Sequence, residues 1–592
     1  MIDATESRRN AVQLERRSEA AFLGAAIGDA LGWPHEMRAR RSKTRASDGG
    51  LRYEDWIKRG GGRFQGYEEQ IAAGSYSDDT QLILAVARAL RRNRKAWWEV
   101  LAHQELPFWT IYERGGGGAT KRAASSWAQG TQPWHGKLAE TRRYFEAGGN
   151  GVAMRILPHA VRRAGEHSFA PLARDVMADG VCTHGHPRAL IGALVYAFAM
   201  WSALRHRGTL EFGQLIHEAL SSSQEWGKLP SIDEQWRDWA EVAHGSFDVE
   251  RVWDETVLEQ VRLLEQAAGA INAGAASFDE ETLTELGCFD PRVNGAGTVT
   301  AAGAIYLASR HAADPHEGLR AAALARGADT DTLASMTCGL LGAAVGGSWI
   351  ERYVDPLQDV GAIRLSAHAL LRGEGEDAEL YRVNRKTLGA FTRSLTDVPH
   401  GGRAWLPIGV AASVEPWDGI VSKVSSTQAA GWRLRADDGQ TYFLKVFSRA
   451  GAAAREPSRT PTPDRDLFAR QQPSSDFNVG LRIAVADLAR SRRFYQGLVG
   501  LAASREGRDS ISFGRLALKA GKPAESDTSN FRLYIERSDL AACFERLEDA
   551  EVEIVTPIQT RGDRRHFRCI DPDGYDVEIY EVRQPSRLRA DG

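Results

Sequence analysis

Two short runs, Ser77-Asp78-Asp79-Thr80 and Asp329-Thr330-Asp331-Thr332, carry the strongest chemical signal in the chain. Each opens a long apolar stretch with helical spacing. Helix capping explains part of the pattern, because a Ser or Asp oxygen satisfies free N–H groups and acids in the first turn suit the macrodipole. A cap needs one carboxylate, however, and each run presents two with hydroxyls beside them. Oxygen-only sets of this kind suit hard cations such as Mg²⁺, or alternatively Mn²⁺. A helix N-terminus is itself electropositive, so a cation there needs carboxylates converging from more than one helix. If the two runs face each other, four carboxylates and two hydroxyls could hold two ions about 3.5–4 Å apart.

These residues need a frame. From residue 18 to 372, apolar residues recur at helical spacing and Ala, Leu and Gly prevail over β-branched types, as in 80–90, 188–204, 257–271, 298–310 and 331–346. The spacing predicts one large all-α domain. Glycine-rich loops at 59–62, 115–118, 148–151 and 294–297 separate its helices and let a ligand approach the backbone closely. Residues 373–403 read as a linker or trailing helix. Residues 404–448 read as a small β module, with strands at 419–425, 431–435 and 441–447 and a turn at Asp437-Asp438-Gly439. A second linker, 449–475, is rich in Pro, Ala, Arg and Ser and is expected to be flexible. Residues 476–582 hold an internal repeat: a strand, a helix and three strands over 479–519, then the same order over 531–580. Two βαβββ units in tandem predict a compact α+β domain.

Composition sets the outer bounds. A length of 592 residues predicts about three to five domains. Hydrophobic residues at 43% and charged residues at 26% exclude wholesale disorder. Lys+Arg 75 against Asp+Glu 78 give a net charge of -3, so no broad pull toward nucleic acid or an anionic membrane is expected. Five cysteines without C-x-x-C spacing exclude a disulfide framework and a zinc knuckle, and suit a reducing compartment. The N-terminus lacks an apolar run of signal-peptide type. The uncharged stretches 189–204 and 332–350 read as buried helices, being too short or too rich in small residues for a bilayer span. A soluble, cytoplasmic protein is the expectation.

Taken in order, GAAIGDALGWPHE at 24–36, SDDT at 77–80, GNGVAMRILP at 149–158, THGHP at 183–187 and RGADTDT at 326–332 closely resemble the ADP-ribosylglycohydrolase family, which includes the dinitrogenase-reductase-activating glycohydrolases. The resemblance covers about residues 18–370. One departure is Ala328, where the family usually has a second glycine; a methyl group is tolerated there if the backbone dihedrals are ordinary. The resemblance implies two Mg²⁺ ions held by Ser77, Asp78, Asp79, Asp329, Asp331 and Thr332, and a mobile substrate-loop glutamate at Glu36. It also implies an ADP-ribose pocket drawing on Gly115, Gly116, Gly117, Gly118, Gly148, Gly149, Asn150, Gly151 and His184. Residue chemistry agrees, since glycine loops offer N–H groups to a pyrophosphate, and His184 could hydrogen-bond or stack on the nucleotide if it is not simply a satisfied core histidine. Asp29, Asn150 and Arg155 read as supports.

The implied reaction is hydrolysis of the N- or O-glycosidic bond between C1″ of ADP-ribose and an acceptor, with oxocarbenium character at the ribose. In that scheme the metals orient the ribose and acidify a bound water, Asp78, Asp329 or Asp331 takes its proton, and Glu36 gates the site or assists the leaving group. The partner is an ADP-ribosylated protein or other molecule; arginine, serine, a nucleobase and small molecules all stay open as acceptors. The competing expectation is a non-catalytic binding or immunity-type protein that recognises ADP-ribosylated targets or a toxin.

Residues 476–582 resemble the vicinal-oxygen-chelate superfamily of glyoxalases and bleomycin-resistance proteins. Val485-Ala486-Asp487-Leu488, SRRFYQGLVG at 491–500 and Asp571-Pro572-Asp573-Gly574 ahead of Val577-Glu578 carry that likeness. Members with metal chemistry commonly place a His on the first strand of each half, where this chain has Gly480 and Arg532. Only Glu578 remains of the ligand set, and one carboxylate cannot hold a catalytic ion. A binding or dimerisation module is therefore expected, with a homodimer as one outcome, and His566 and Cys569 read as packing residues.

Overall fold

Gly24, Gly28 and Gly32 recur at four-residue spacing, which places them on one bare stripe of a helix. In the computed structural model that helix is α1 (Ile2–Ala39). The described residues are 2–39, 51–61, 66–425, 427–449, 481–506, 509–513, 516–520, 532–561, 564–572 and 575–582. Five further helices frame the site: α2 (Asp78–Arg92), α3 (Gly118–Ala128), α4 (Pro187–Arg205), α5 (Gly297–Arg310) and α6 (Thr330–Val345). The stripe lies on α6. A Cβ on Gly24, Gly28 or Gly32 would sit 2.3, 2.2 and 2.2 Å from the carbonyl oxygens of Cys338, Ala334 and Thr330, and one on Gly342 would sit 2.2 Å from that of Ala20. The two helices thus run antiparallel with their backbones in contact, and the Thr330 hydroxyl donates to the Gly32 carbonyl at 2.9 Å. This pairing sets the C-terminal part of α1, with Asp29 and Glu36, beside the N-terminus of α6, with Asp329 and Asp331. Gly28→Ala is expected to destabilise the protein by about 1–3 kcal/mol through overpacking, read by urea denaturation; wild-type stability would contradict the backbone contact.

The remaining helices bury this pair. Helix α4 is long and apolar enough to cross a membrane by length and composition, but 89% of its apolar window is buried inside the fold. It is a core helix, as is α6, whose residues are buried from Thr330 to Ala344. The helical periodicity conceals one feature of this region. A hairpin of β1 (Trp56–Gly60) and β2 (Tyr67–Ile71) follows α1. Each strand has five residues, too few to make a clear alternation, and the glycine-rich run at 59–62 belongs to this hairpin (Gly62 lies outside the described residues).

The span 373–403 carries a helix, Arg385–Ser394, started by a capping box at Asn384 and buried through Leu388 and Phe391. Beyond it come β3 (Arg403–Trp405), β4 (Ala411–Pro416), β5 (Ile420–Ser422), β6 (Thr427–Ala436) and β7 (Thr441–Arg449). Strands β3, β4, β6 and β7 make a four-stranded sheet, whereas β5 pairs antiparallel with β2 and extends the hairpin to three strands. The chain divides into two compact units, Met1–Arg455 and Glu456–Gly592, so the β module belongs to the same unit as the helices. Of the second linker, residues 450–475 lie outside the described residues.

In the second unit the repeat is visible strand by strand. The first half is β8 (Leu481–Val485), helix α7 (Leu488–Arg492), β9 (Arg505–Glu506), β10 (Ser510–Phe513) and β11 (Leu516–Ala520). The second is β12 (Arg532–Glu536), α8 (Leu540–Asp549), β13 (Ile554–Arg561), β14 (Arg564–Ile570) and β15 (Asp576–Val582). Both sheets have the same order, β8-β11-β10-β9 and β12-β15-β14-β13, with the outer pairs β8–β11 and β12–β15 parallel. Phe567 and Cys569 are buried with Val577 and Ile579 in one core. Gly480, Asp573 and Gly574 lie outside the described residues.

Candidate active site

Asp29, Trp33 and Glu36 stand at i, i+4 and i+7 on α1, hence on one face. Asp29 is buried and holds the start of α2. Its Oδ1 accepts the Ser77 N–H at 2.9 Å, and its Oδ2 accepts the Thr80 N–H at 3.0 Å and the Thr80 hydroxyl at 2.7 Å. Ser77 is the N-cap of α2, its hydroxyl accepting from the Asp79 N–H. The acidic run is thereby fixed from below, which leaves Asp78 and Asp79 free for other work.

The two acidic runs meet. The Thr332 hydroxyl donates to Asp79 Oδ1 at 3.3 Å across 253 residues of sequence. Ligand atoms of Glu36, Asp329 and Asp331 all lie within 4.8 Å of one another. Among the described residues this is the one group of three His, Cys, Asp or Glu side chains close enough to share a metal ion. Asp329 is the N-cap residue of α6 but makes no side-chain cap bond. Its Oδ2 instead accepts from Asn150 Nδ2 at 2.9 Å, and the same amide donates to Thr300 at 3.1 Å. Capping therefore does not explain Asp329. Glu36 lies within α1 rather than on a loop, because the helix runs through Pro34 to Ala39.

Burial, with neighbouring carboxylates adding to it, pushes Asp78, Asp79 and Asp331 well above the usual carboxylate range. For Asp331 the largest of those neighbours is Glu36. Such crowding is the electrostatic condition that a divalent cation relieves. Asp79 Oδ2 is buried with no hydrogen-bond partner among the described residues. An orphaned oxygen beside an all-oxygen donor set fits a hard cation.

The glycine loops divide by environment. Gly115, at φ 105°, abuts the first run: a Cβ there would lie 2.9 Å from Asp78 Oδ1 and 3.3 Å from the indole nitrogen of Trp33. Gly116 is closed in by Trp109, while Gly117 caps α3 and, like Gly118, is exposed. Gly148, Gly149, Asn150 and Gly151 are stitched to the 294–297 loop. Asn150 N–H donates to the Gly295 carbonyl at 2.9 Å, and Gly297 N–H to that of Gly148 at 3.0 Å. Gly295 in turn lies next to Asp329. The left-handed value near the second run belongs to Gly327, at φ 99°, and Ala328 does not share it, so its methyl group brings no strain.

His184 sits under Gly151, and a Cβ on that glycine would be 2.9 Å from its ring. Arg155, paired with Asp179 at 2.8 Å, donates to the Gly151 carbonyl at 2.7 Å and to the Thr183 hydroxyl at 2.9 Å. That hydroxyl is 2.8 Å from His184 Nδ1. Burial, with the Arg155 and Arg122 charges, lowers the His184 pKa to about 3. The ring is neutral when folded but titrates near 6.5 when unfolded. Its contribution to stability is therefore complete above pH 6.5 and declines, by at most about 1.4 kcal/mol per pH unit, as pH falls from 6.5 toward 3. A His184 Cε1–H NMR shift that stays flat between pH 5 and 8 is expected; titration near 6.5 would contradict the buried neutral ring.

Trp33 lies within the 24–36 motif but is not singled out by it, although its i+4 spacing from Asp29 puts it on the same face. Glu69, Arg114 and Lys445 escape a reading of motifs: Arg114 Nε is 2.8 Å and Lys445 Nζ 2.9 Å from the buried Glu69 carboxylate, a contact that no local pattern announces.

The ADP-ribosylglycohydrolase family model matches residues 10–380. The model of the Glyoxalase/Bleomycin resistance protein/Dioxygenase superfamily matches residues 479–579. Among curated proteins, the ADP-ribosyl-[dinitrogen reductase] glycohydrolase of Rhodospirillum rubrum is 29% identical over 211 residues, which are 34% of this chain and 64% of that protein. The chain thus spans just under two thirds of that relative's length. A solved chain described as an ADP-ribosylglycohydrolase-related protein complex is 23% identical, with a TM-score of 0.40, and the match covers 61% of this chain and 99% of that one. A glyoxalase/bleomycin resistance protein/dioxygenase from Alicyclobacillus acidocaldarius is 17% identical, with a TM-score of 0.17, over 19% of this chain and 96% of that one.

Proposed function

The chain belongs to the ADP-ribosylglycohydrolase family, and on that premise we propose that it is a Mg²⁺- or Mn²⁺-dependent hydrolase releasing ADP-ribose from a modified protein or other acceptor. The observation that carries this reading is the convergence of Glu36, Asp329 and Asp331 within 4.8 Å, next to the Asp79–Thr332 contact. Ser77, Asp78, Asp79, Asp329, Asp331 and Thr332 would hold two ions, with Glu36 beside them. A bound ion supplies Lewis acidity and grips ribose hydroxyls.

The chain's own groups do the rest. Asn150 fixes the Asp329 carboxylate, and Asp29 fixes the start of α2, so the acidic groups are oriented before substrate arrives. The attacking water loses its proton to one of Asp78, Asp329 and Asp331. Burial and neighbouring carboxylates raise the pKa values of Asp78 and Asp331, which strengthens either one as a proton acceptor. Glu36 stands beside Asp331 and gates the site or assists the leaving group. The 115–118 and 148–151 loops, with His184, line the nucleotide pocket, the Asn150 and Gly116 N–H groups being held by Gly295 and Glu113.

The second unit serves binding or chain pairing in this proposal. Among the described residues, the one group able to share a metal ion lies in the first unit. Release of free ADP-ribose from an ADP-ribosylated substrate, with Mg²⁺ and with a chelator, tests the whole reading.

A further inference from the structure

Hairpin β6–β7 lies outside the residues matched to the ADP-ribosylglycohydrolase family, yet one of its side chains reaches the loop beside Asp78. Lys445 Nζ donates to the Glu113 carbonyl at 2.9 Å and to Glu69 Oε2 at 2.9 Å. Glu69, buried on β2, takes the Arg114 Nε–H on its other oxygen at 2.8 Å. Lys445 thus grips the loop twice, directly at Glu113 and through Glu69 at Arg114. Phe443 and Trp417 of the same module lie 3.8 and 5.4 Å from the Arg114 guanidinium. Gln81 secures the loop from α2, accepting the Arg114 N–H at 3.2 Å. The next residue, Gly115, touches Asp78 and Trp33. Burial alone would raise Glu69, but Arg114, Lys445 and Lys58 bring its pKa down to about 2, so the carboxylate stays charged and keeps its grip.

We propose that Lys445 is a positioning residue of the substrate pocket: the β module clamps the 113–118 loop and thereby sets the pocket wall beside Asp78. The ligand named for that pocket rests on the functional reading above; the clamp does not. Without the ammonium, the Glu113 carbonyl loses its donor and Glu69 keeps only Arg114 and, at 3.8 Å, Lys58. Arginine at this position retains the charge and the donor.

The test compares full-length wild type, Lys445→Met and Lys445→Arg by hydrogen exchange and by ADP-ribose titration in Mg²⁺. In Lys445→Met the amides of 112–118 are expected to exchange about tenfold faster and ADP-ribose to bind about tenfold more weakly, the loss of a charged hydrogen-bond donor. KM for an ADP-ribosylated substrate rises with it while kcat changes less, amides in Pro187–Arg205 stay protected, and Lys445→Arg recovers most of the loss. Unchanged loop exchange in Lys445→Met overturns the clamp, and so does faster exchange spread through Pro187–Arg205, which marks general destabilisation. Faster loop exchange with unaltered ADP-ribose affinity overturns the pocket role. If the wild type binds no ADP-ribose, the functional reading fails and the exchange result alone decides the clamp.

Discussion

Asp331→Asn is expected to lower ADP-ribose release about a thousandfold while leaving the protein folded. Asparagine keeps the shape and the oxygen that accepts the Thr332 N–H at 3.0 Å, but removes the charge. That charge is buried among Glu36, Asp329, Asp79 and Asp29, which raise its pKa after burial itself. Removing it relieves repulsion in the metal-free protein, so Tm without metal should equal or exceed the wild-type value. The rise in Tm on adding Mg²⁺, about 2.7 kcal/mol of stabilisation at a hundredfold excess over Kd, should shrink or vanish. A variant that turns over substrate at the wild-type rate in saturating Mg²⁺ would remove Asp331 from the site.

The second large effect is on stability. Asp29→Ala leaves the Ser77 N–H, the Thr80 N–H and the Thr80 hydroxyl without their acceptor in a buried place. Three orphaned donors at about 1–3 kcal/mol each outweigh the relief of repulsion with Asp78, Asp79 and Asp331, for a net loss of about 2–4 kcal/mol. Urea denaturation should show a lower midpoint at an unchanged m-value. Wild-type stability would mean that α2 starts without help from Asp29. Turnover falls as well, because the same bonds aim Asp78 and Asp79.

How much of this was legible in the sequence depends on the range of the interaction. The acidic runs and glycine loops are local patterns, and the tandem order of the C-terminal unit repeats along the chain, so all three can be read without a structure. Whether the runs face each other cannot be, because the Asp79–Thr332 contact depends on α1 lying against α6. The Gly24, Gly28 and Gly32 spacing does carry that information, as a bare helix stripe, but only once a partner helix is known. Glu36 is read as a loop residue by resemblance, and the helix that continues past Pro34 puts it beside Asp331 instead. Hairpin β1–β2 is too short to alternate clearly, and its pairing with β5 joins residues from opposite ends of the first unit. The Glu69–Lys445 pair spans 376 residues, with nothing in either neighbourhood that names the other.

The central claim is metal-dependent hydrolysis at the acidic cluster. Its most direct test is the release of free ADP-ribose from a panel of arginine-, serine- and nucleobase-linked ADP-ribosyl substrates, in Mg²⁺ and in chelator. Release from at least one linkage in Mg²⁺, lost in chelator and restored by added metal, is the predicted result. Tight, metal-dependent binding of the same substrates with no release from any would contradict it and make the chain a binding protein.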